Sequence, residues 1–156
     1  MEISWQDLPH PELDRQTLYA LLALRNAVFI VEQNCPYQDL DGRDLQSENR
    51  HILGWKGDEL IACARLLTPD SAQAPVAIGR VVVSPAARGL NLGYRLMEQA
   101  LMSCAQHWPQ HDVYLSAQAH LQTFYQKLGF GAQGEVYLED NIPHIAMVRP
   151  AATAQP

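Results

Sequence analysis

Cysteine is scarce in this chain, and its few cysteines are poorly placed for a disulfide framework. The 156 residues include three cysteines, an odd number, scattered at Cys35, Cys63 and Cys104. Small secreted domains that depend on disulfides usually carry an even number of closely spaced cysteines. We therefore expect free thiols and a reducing, cytoplasmic location.

Long apolar runs and an excess of basic residues are also missing. No apolar stretch approaches the ~20 residues that a membrane-spanning helix needs, and the first residues, MEISWQDL, lack the pattern of a signal peptide. The formal net charge is −6, from 11 Lys and Arg against 17 Asp and Glu. Because a nucleic-acid binder needs a basic surface for phosphates, we expect neither a nucleic acid nor a membrane as a partner.

Metal-binding patterns are incomplete. Two groups of residues offer metal-ligand atoms: Asp39, Asp41 and Asp44, and Cys104, His107 and His111. The acidic group lacks the residue order and the closing glutamate of an EF-hand loop. In the second group, Pro109 breaks any helix between the two histidines, and no fourth ligand is close in sequence. We predict no metal site.

The chain does contain enough apolar sequence for one folded domain. Hydrophobic residues make up 47% of it and charged residues 18%, which is typical of globular proteins. A chain of this length has room for one domain with a sizeable core. We predict a single domain over residues 1–150, followed by a flexible tail, AATAQP, over residues 151–156.

Residues 78–101 have the order strand, glycine-containing turn, helix. The β-branched residues of 78–83 are typical of a buried strand, and Pro85 ends it because proline has no N–H to donate. Apolar residues then recur at helical spacing over 92–104. Such a turn directs free N–H groups and the positive end of a helix dipole at one point, which suits a phosphate, and Arg88 adds a matching cation.

This stretch resembles motif A of the GNAT acetyltransferases, written Q/R-x-x-G-x-G/A after a strand and a proline. Arg88, Asn91 and Gly93 stand at its three marked positions. Asn91 replaces the usual glycine, but asparagine is the non-glycine residue that best tolerates a positive φ. Downstream, FYQKLGF over 124–130 is similar to the family's FYxKxGF segment. FIVEQNCPYQDLDG, NRHILGW and YLSAQAHLQTFYQKLGF are similar to the ElaA-type bacterial branch, over nearly all of residues 1–150.

The resemblance implies an α/β (α+β) GNAT fold. Its twisted sheet is mixed and mostly antiparallel, with six or seven strands, about four flanking helices and a splay between the fourth and fifth strands. The chain's own pattern predicts a helix over 11–31 capped by Asp14, strands over 51–56, 60–68 and 112–117, a short helix over 119–128 and a closing hairpin that includes 136–137 and 144–149. Residues 2–8 fit a first strand or an extended arm. Both faces of 60–68 are mainly apolar, which predicts a central strand covered on both sides.

The resemblance also implies acetyl-CoA, or another acyl-CoA, as cosubstrate. The residues implied to bind it are Val81, Val82, Val83, Arg88, Gly89, Leu90, Asn91, Leu92, Gly93 and Gln118. The pyrophosphate would lie on the bend amides and on Arg88, and the pantetheine arm along the exposed backbone of the valines. An N–H near the valines would stabilise the oxyanion. Core packing alone is the other interpretation of the valines.

Two catalytic residues are implied. Tyr125, in the FYQKLGF segment, would protonate the departing thiolate, and simple aromatic packing is its alternative. The acceptor amine is protonated in water and needs a base. Glu32, at the end of the first predicted helix, is our first candidate, followed by His51 and His120. Each of these three also has an ordinary structural interpretation.

The sequence therefore predicts an N-acyltransferase, in the simplest case an N-acetyltransferase, that moves an acetyl group to a small-molecule or peptide amine by direct attack. The polar loop over 32–48 is predicted to recognise the acceptor, whose identity the sequence does not give. Three alternatives stay open: an acyltransferase related to acyl-homoserine-lactone synthases, a non-catalytic sensor of acyl-CoA, and a structural partner protein. The resemblance is compatible with a homodimer, and Cys35 has no assigned role.

Overall fold

The computed structural model describes residues 2–152, which form a seven-stranded sheet with helices on both faces. The strands are β1 (Ser4–Pro9), β2 (Arg50–Lys56), β3 (Glu59–Leu67), β4 (Val76–Val83), β5 (Val113–Gln118), β6 (Gly131–Glu139) and β7 (Ile142–Arg149). The α-helices of these residues are α1 (Arg15–Arg25), α2 (Leu92–His107) and α3 (Gln122–Gln126). The strand order is β1-β2-β3-β4-β5-β7-β6.

The sheet is mixed and mostly antiparallel, as predicted. β4 and β5 run parallel, whereas the other neighbouring strands run antiparallel. The first residues form a true strand, since β1 pairs with β2 from Ser4 opposite Trp55 to Pro9 opposite Arg50. The predicted fold class is confirmed.

The parallel strands β4 and β5 separate soon after they begin. Among the described residues their ladder has two positions, Val76 opposite Val113 and Ala77 opposite Tyr114. On its other edge β4 stays paired with β3 as far as Val83. The register of that pairing shifts where Arg80 takes a φ of 51°, as in a β-bulge. The edge of β4 beyond Ala77 therefore opens onto a gap in the sheet, which confirms the predicted splay.

Helix α1 is shorter than the helix predicted over 11–31. Asp14 is its N-cap, and the Asp14 carboxylate accepts the N–H of Thr17 at 2.7 Å. Because the cap residue is extended, the helix cannot begin before it, and His10–Glu12 form a separate 3₁₀ turn. Beyond Arg25 the chain continues as a π-helix over Asn26–Glu32.

Helices α1 and α2 cover opposite faces of the central strands. On one face, residues of α1 and of the π-helix that continues it pack with those of β2, β3 and β4: Leu21, Leu24, Val28, Leu53, Cys63 and Val82. On the other face, residues of α2 pack with the same strands: Leu96, Met97, Ala100, Ile52, Ala64 and Ile78. This confirms the prediction that β3 is covered on both sides.

The helix predicted over 119–128 is divided. Ala119–Leu121 form a 3₁₀ turn and α3 follows. The chain leaves α3 at Gly129, which has a φ of 93°, and the Phe130 N–H returns to the Tyr125 carbonyl at 3.2 Å. A positive φ at this position is tolerated best by glycine.

The two ends of the chain are described only in part. Of the predicted tail, residues 153–156 lie outside the described residues. Ala151 is buried, and its N–H donates to an Asp112 carboxylate oxygen at 2.8 Å. Within 2–152, no helix combines the length and the apolar character needed to cross a membrane.

Candidate active site

The bend between β4 and α2 presents a row of backbone N–H groups. Gly89 and Asn91 both have positive φ values, 89° and 59°, so Asn91 takes the conformation that the sequence required of it. The first hydrogen bond of α2 runs from the Arg95 N–H to the Asn91 carbonyl at 3.2 Å. The N–H groups of the helix's first turn therefore have no intrahelical acceptor. They lie at the positive end of the helix dipole, an arrangement that can receive an anion.

The Arg88 guanidinium lies at the mouth of this bend and is paired with Glu32. Its two terminal nitrogens contact the two Glu32 carboxylate oxygens at 2.5 and 2.6 Å, and its Nε donates to the Val83 carbonyl at 3.2 Å. The hydrogen bond from Arg88 lowers the pKa of Glu32. Both side chains are exposed, 45% for Arg88 and 38% for Glu32. The pair is therefore a surface ion pair that an anionic ligand can displace.

A cavity of about 590 Å³, here called the bend cavity, runs from the bend to Tyr125. Most of the residues predicted to bind CoA line it: Val81–Val83, Arg88, Gly89 and Asn91–Gly93. Leu90 does not line it, and its side chain is exposed. The structure is compatible with both interpretations of the valines, since the Val82 side chain is buried in the core against α1 while all three residues line the cavity.

A second cavity, of about 160 Å³, lies between β4, the face of β5–β7 and the loop after α1, and is called the face cavity. Gln118 lines this cavity and not the bend cavity. Phe29 of the π-helix and Gln33, directly after it, also line it. The two cavities share three lining residues, Val81, Leu121 and Tyr125. They meet where β4 and β5 diverge.

Tyr125 is buried at this meeting point. Its side chain is 7% exposed, and burial raises the pKa of Tyr125 to about 12. Its ring makes edge contacts with Phe124 and Phe130, at centroid distances of 5.0 and 6.0 Å. The phenol is therefore protonated at neutral pH and held in place by two aromatic neighbours. It can donate a hydrogen bond to an atom located between the cavities.

Part of the loop predicted to recognise the acceptor is held by a largely buried ionic cluster, here called the loop anchor. Its members are Arg25, Arg65 and Arg80 with Asp39, Asp41 and Asp44. Arg25 contacts Asp39 at 3.0 Å and Asp44 at 2.5 Å, and Arg65 binds both Asp41 oxygens at 2.9 Å. The three aspartates that resemble a calcium loop thus bind arginines. Within residues 2–152, no group of three or more His, Cys, Asp or Glu side chains is arranged to hold a metal ion.

The loop anchor reaches the face cavity through Arg80 and Tyr37. The Tyr37 hydroxyl donates to Asp39 at 2.7 Å, and the Arg80 guanidinium lies 5.5 Å from the centre of the Tyr37 ring. Both residues line the cavity. The buried charges therefore fix one wall of the cavity, and the Arg80 charge is balanced by Asp39 and Asp41.

The structure does not bring the predicted base candidates to Tyr125. Glu32, His51 and His120 line neither the bend cavity nor the face cavity. The Glu32 carboxylate is occupied by Arg88. His51 is fully buried beside the loop anchor, where its Nε2 donates to the Asp44 carbonyl at 2.9 Å and burial lowers its pKa. His120 is exposed.

Several residues of the face cavity were not singled out from the sequence. Ser116 of β5, Glu139 of β6 and His144 of β7 line it together with Tyr37 and Arg80. A weak signal exists only along β5, where Tyr114, Ser116 and Gln118 alternate with apolar residues in VYLSAQ. Such alternation places them on the face that does not join the core. It does not show that the strands bring them together.

Comparison with known proteins defines the class of this protein. The family model of the acetyltransferase (GNAT) domain matches residues 13–150. The chain belongs to the GNAT acetyltransferase family, as the motif resemblance predicted.

Within this family the similarity is to the ElaA branch. Protein ElaA of Escherichia coli (strain K12) is 60% identical over 152 residues, covering 97% of this chain and 99% of its own length. The crystal structure of Escherichia coli ElaA matches with a TM-score of 0.91 over 95% of this chain and 99% of that one. An acyl-CoA N-acyltransferase from Pseudomonas aeruginosa, 51% identical, gives a TM-score of 0.90 with the same coverage, 95% and 99%.

Proposed function

We propose that this protein transfers an acyl group, in the simplest case acetyl, from acyl-CoA to an amine by direct attack. One observation carries the proposal. The bend cavity and the face cavity meet at the gap between β4 and β5, and Tyr125 lies in the wall of both. Two substrates that enter from opposite sides would therefore meet beside a phenol.

The bend cavity fits an acyl-CoA. The N–H groups from Gly89 to Tyr94 and the Arg88 guanidinium supply the donors that a diphosphate needs, and the diphosphate would displace Glu32. The amide-containing pantetheine arm would pair with the open edge of β4, as an added strand does. A β4 N–H at this edge would stabilise the oxyanion that forms at the thioester carbonyl.

Tyr125 has the role of proton donor to the departing sulfur. A phenol with a pKa of about 12 is a weaker acid than a thiol, whose pKa is ordinarily ~8.5. Full proton transfer from Tyr125 alone is therefore uphill. The phenol would first stabilise the developing thiolate by a hydrogen bond, and would pass on its proton as it receives one from the nitrogen that has attacked.

The face cavity would hold the acceptor. Its walls come from the residue 33–37 segment, β4, β5 and the β6–β7 hairpin. Arg80 is already balanced by aspartates, whereas Glu139 and Asp140 line the cavity and have no arginine or lysine partner among the described residues. This excess of negative charge favours a cationic acceptor, namely a protonated amine.

The test is release of free thiol from acetyl-CoA across a panel of amines, combined with calorimetric titration of CoA. The panel includes free amino acids, polyamines, aminoglycosides, and peptides with a free N-terminus or lysine. We expect CoA binding, and at least one amine that accelerates thiol release and yields an acetylated product. CoA binding without acetylation of any amine would instead identify a sensor, and absence of CoA binding would exclude both functions.

A further inference from the structure

A polar cluster lies on the open face of β5, β6 and β7. In the sheet, His144 stands opposite Gln118 of β5 and opposite Tyr137 of β6. Residues directly opposite each other, and residues two apart along a strand, point to the same face. Ser116 and Glu139 therefore join His144 there, and both line the face cavity with it. Side chains from three strands thus converge on one wall of the proposed acceptor site.

The hydrogen bonds of His144 define where its proton is. The Nδ1 atom is 2.7 Å from the Ile142 carbonyl oxygen, and a carbonyl only accepts, so Nδ1 carries the hydrogen. In the neutral ring, Nε2 is then left with a lone pair. His144 is 7% exposed and lines the cavity. The ring is held in the tautomer that a base requires.

Glu139 is placed to stabilise the protonated form of His144. Its Oε2 is 3.6 Å from Nε2. A carboxylate cannot donate to the Nε2 lone pair, so attraction between the two groups develops only when Nε2 binds a proton. The carboxylate is thus in position to pair with the imidazolium once Nε2 has taken up a proton.

The position of Glu139 is itself fixed by two hydroxyls. Ser116 Oγ donates to Glu139 Oε1 at 3.2 Å and accepts a hydrogen bond from the Tyr137 hydroxyl. The Tyr137 ring stacks on the His144 ring, with centroids 6.3 Å apart and an interplanar angle of 29°. The cluster therefore orients both the imidazole and the carboxylate.

The charged and titratable groups around His144 come from every element that borders it. They are Tyr114 of β5, Tyr137 and Glu139 of β6, Asp140 of the β6–β7 turn, Tyr125 of α3 and Arg80 of β4. Cys35 of the covering loop contacts the Asp140 carbonyl through its sulfur at 3.7 Å. Burial, followed by a hydrogen bond with Tyr137, raises the pKa of Tyr114, so this phenol stays neutral. Glu139 is thus the nearest charge to Nε2.

We propose that His144 is the general base for the acceptor amine and that Glu139 is its positioning residue. The assignment rests on the proposed acyltransferase function. The ammonium of the acceptor gives a proton to His144 Nε2, and the freed amine forms a C–N bond with the thioester carbonyl carbon. The C–S bond then breaks, the sulfur takes a proton from Tyr125, and Tyr125 regains one from the attacking nitrogen. His144 finally releases its proton to water.

The test compares His144→Gln with His111→Gln in the full-length protein. His111 is the matched control because its Nδ1 also lies 2.7 Å from a backbone carbonyl oxygen, that of Ala74, and it lines neither cavity. At neutral pH we expect kcat/KM for the best amine of the panel to fall ~100-fold or more in His144→Gln and less than ~2-fold in the control. The gap should narrow above about pH 9, where the amine itself loses its proton. CoA affinity should not change.

Glu139→Gln provides a second, gentler variant. It keeps the size of the side chain and its bond to Ser116, and we expect an intermediate loss of ~10-fold in kcat, with KM and CoA affinity little changed. Equal rates of His144→Gln and His111→Gln from about pH 6 to about pH 9 would overturn the assignment of His144 and leave the proposed function standing. A wild-type protein that binds CoA and acetylates nothing would overturn the proposed function and this assignment with it. If His144→Gln does not fold, wild-type rates in Glu139→Gln would overturn the assignment.

Discussion

Two arginines of this protein, Arg25 and Arg88, each bind carboxylates, but in opposite surroundings. The Arg25 side chain has no exposed surface, and its partners Asp39 and Asp44 are 10% and 9% exposed. Arg88 and Glu32 are 45% and 38% exposed. Arg25 belongs to the loop anchor, whereas Arg88 stands at the mouth of the bend cavity, beside N–H groups that have no acceptor within the helix. The two guanidiniums are therefore suited to different tasks.

The difference in burial suits the Arg25 pairs to stabilising the fold and the Arg88 pair to binding a ligand. A buried ion pair cannot exchange its partner, and the loss of one member leaves an uncompensated charge in a medium of low dielectric constant. An exposed pair contributes little stability and can exchange its carboxylate for a phosphate. Variants of the loop anchor should therefore alter stability, and variants around the bend cavity should alter CoA binding or turnover.

Arg25→Met tests the first half of this comparison and should have the largest effect. It leaves Asp39 and Asp44 without their buried partner, so we expect the free energy of unfolding to fall by ~3–5 kcal/mol in urea denaturation. Arg50→Met is the matched control, because Arg50 pairs with Asp7 at 2.9 Å on the partly exposed edge of the sheet. It should cost less than ~1 kcal/mol. Equal losses in the two variants would contradict the role of the loop anchor.

Tyr125→Phe should affect turnover and leave stability almost unchanged. Only the hydroxyl is removed, so the aromatic contacts with Phe124 and Phe130 persist. We expect kcat to fall ~100-fold or more while CoA affinity stays within ~2-fold of wild type. Tyr19→Phe, at a site 78% exposed on α1, is the control. Undiminished turnover in Tyr125→Phe would remove the phenol from the mechanism.

Arg88→Gln should weaken CoA without destabilising the fold. One guanidinium is lost from the proposed diphosphate site while the bend amides remain, so we expect a ~10-fold rise in the Kd of CoA. The free energy of unfolding should change by less than ~0.5 kcal/mol, since the Glu32–Arg88 pair is exposed. Arg95→Gln, one turn into α2 and outside both cavities, controls for the loss of a charge. Equal Kd values for CoA in the two variants would mean that its diphosphate does not bind beside Arg88.

The loop anchor should lose part of its contribution to stability in acid, when Asp41 becomes protonated. Burial raises the pKa of Asp41, but the hydrogen bond from Arg65 and the neighbouring charges outweigh it and lower this pKa from 3.8 to about 2. The folded state thus binds this proton less tightly than the unfolded state. The ion pairs stabilise the fold above about pH 4, and that contribution is lost as the pH falls toward about 2.

Asp41→Asn should remove that part of the acid dependence. We expect its effect on the free energy of unfolding to be ~1 kcal/mol, because Asp41 is partly exposed and solvent screens its pairs. Unfolding in urea at a series of pH values measures it. If the free energy of unfolding falls equally steeply between about pH 4 and about pH 2 in the variant and in the wild type, Asp41 does not report on the loop anchor.

Glu32→Gln should give the smallest effect, and it decides between two roles of Glu32. If Glu32 only pairs with Arg88, its removal frees the guanidinium, and CoA should bind ~2–5-fold more tightly with turnover retained. If Glu32 is the base predicted from the sequence, turnover should fall ~100-fold. Glu12→Gln, in the exposed turn before α1, is the control for the change of charge.

The sequence was informative wherever the determinants are local. The bend is contained in one short stretch, and the positive φ of Asn91 was expected because asparagine tolerates it. The cap of α1 by Asp14 was likewise local. The mixed, mostly antiparallel sheet and its splay came from family resemblance, since the gap depends on how β4 and β5 diverge in three dimensions.

The face cavity could not be predicted in the same way. Its walls join residues that are distant in sequence, as in the contact between Cys35 and Asp140, 105 positions apart. Glu32 was predicted as a base from its place at a helix end, but its partner Arg88 lies 56 positions away. The cluster around His144 needs the register of three strands. Periodicity assigns these residues to a face and does not assign their neighbours.

Binding of CoA fragments tests the central claim most directly, since that claim is that the bend grips a diphosphate and so brings a thioester to the gap between β4 and β5. Calorimetry on the wild-type protein would compare pantetheine, 4′-phosphopantetheine and CoA. We predict that affinity rises ~10-fold or more when phosphate is added to pantetheine, and again with CoA, and that added salt weakens only the phosphate-bearing ligands. Pantetheine binding as tightly as CoA would contradict the account.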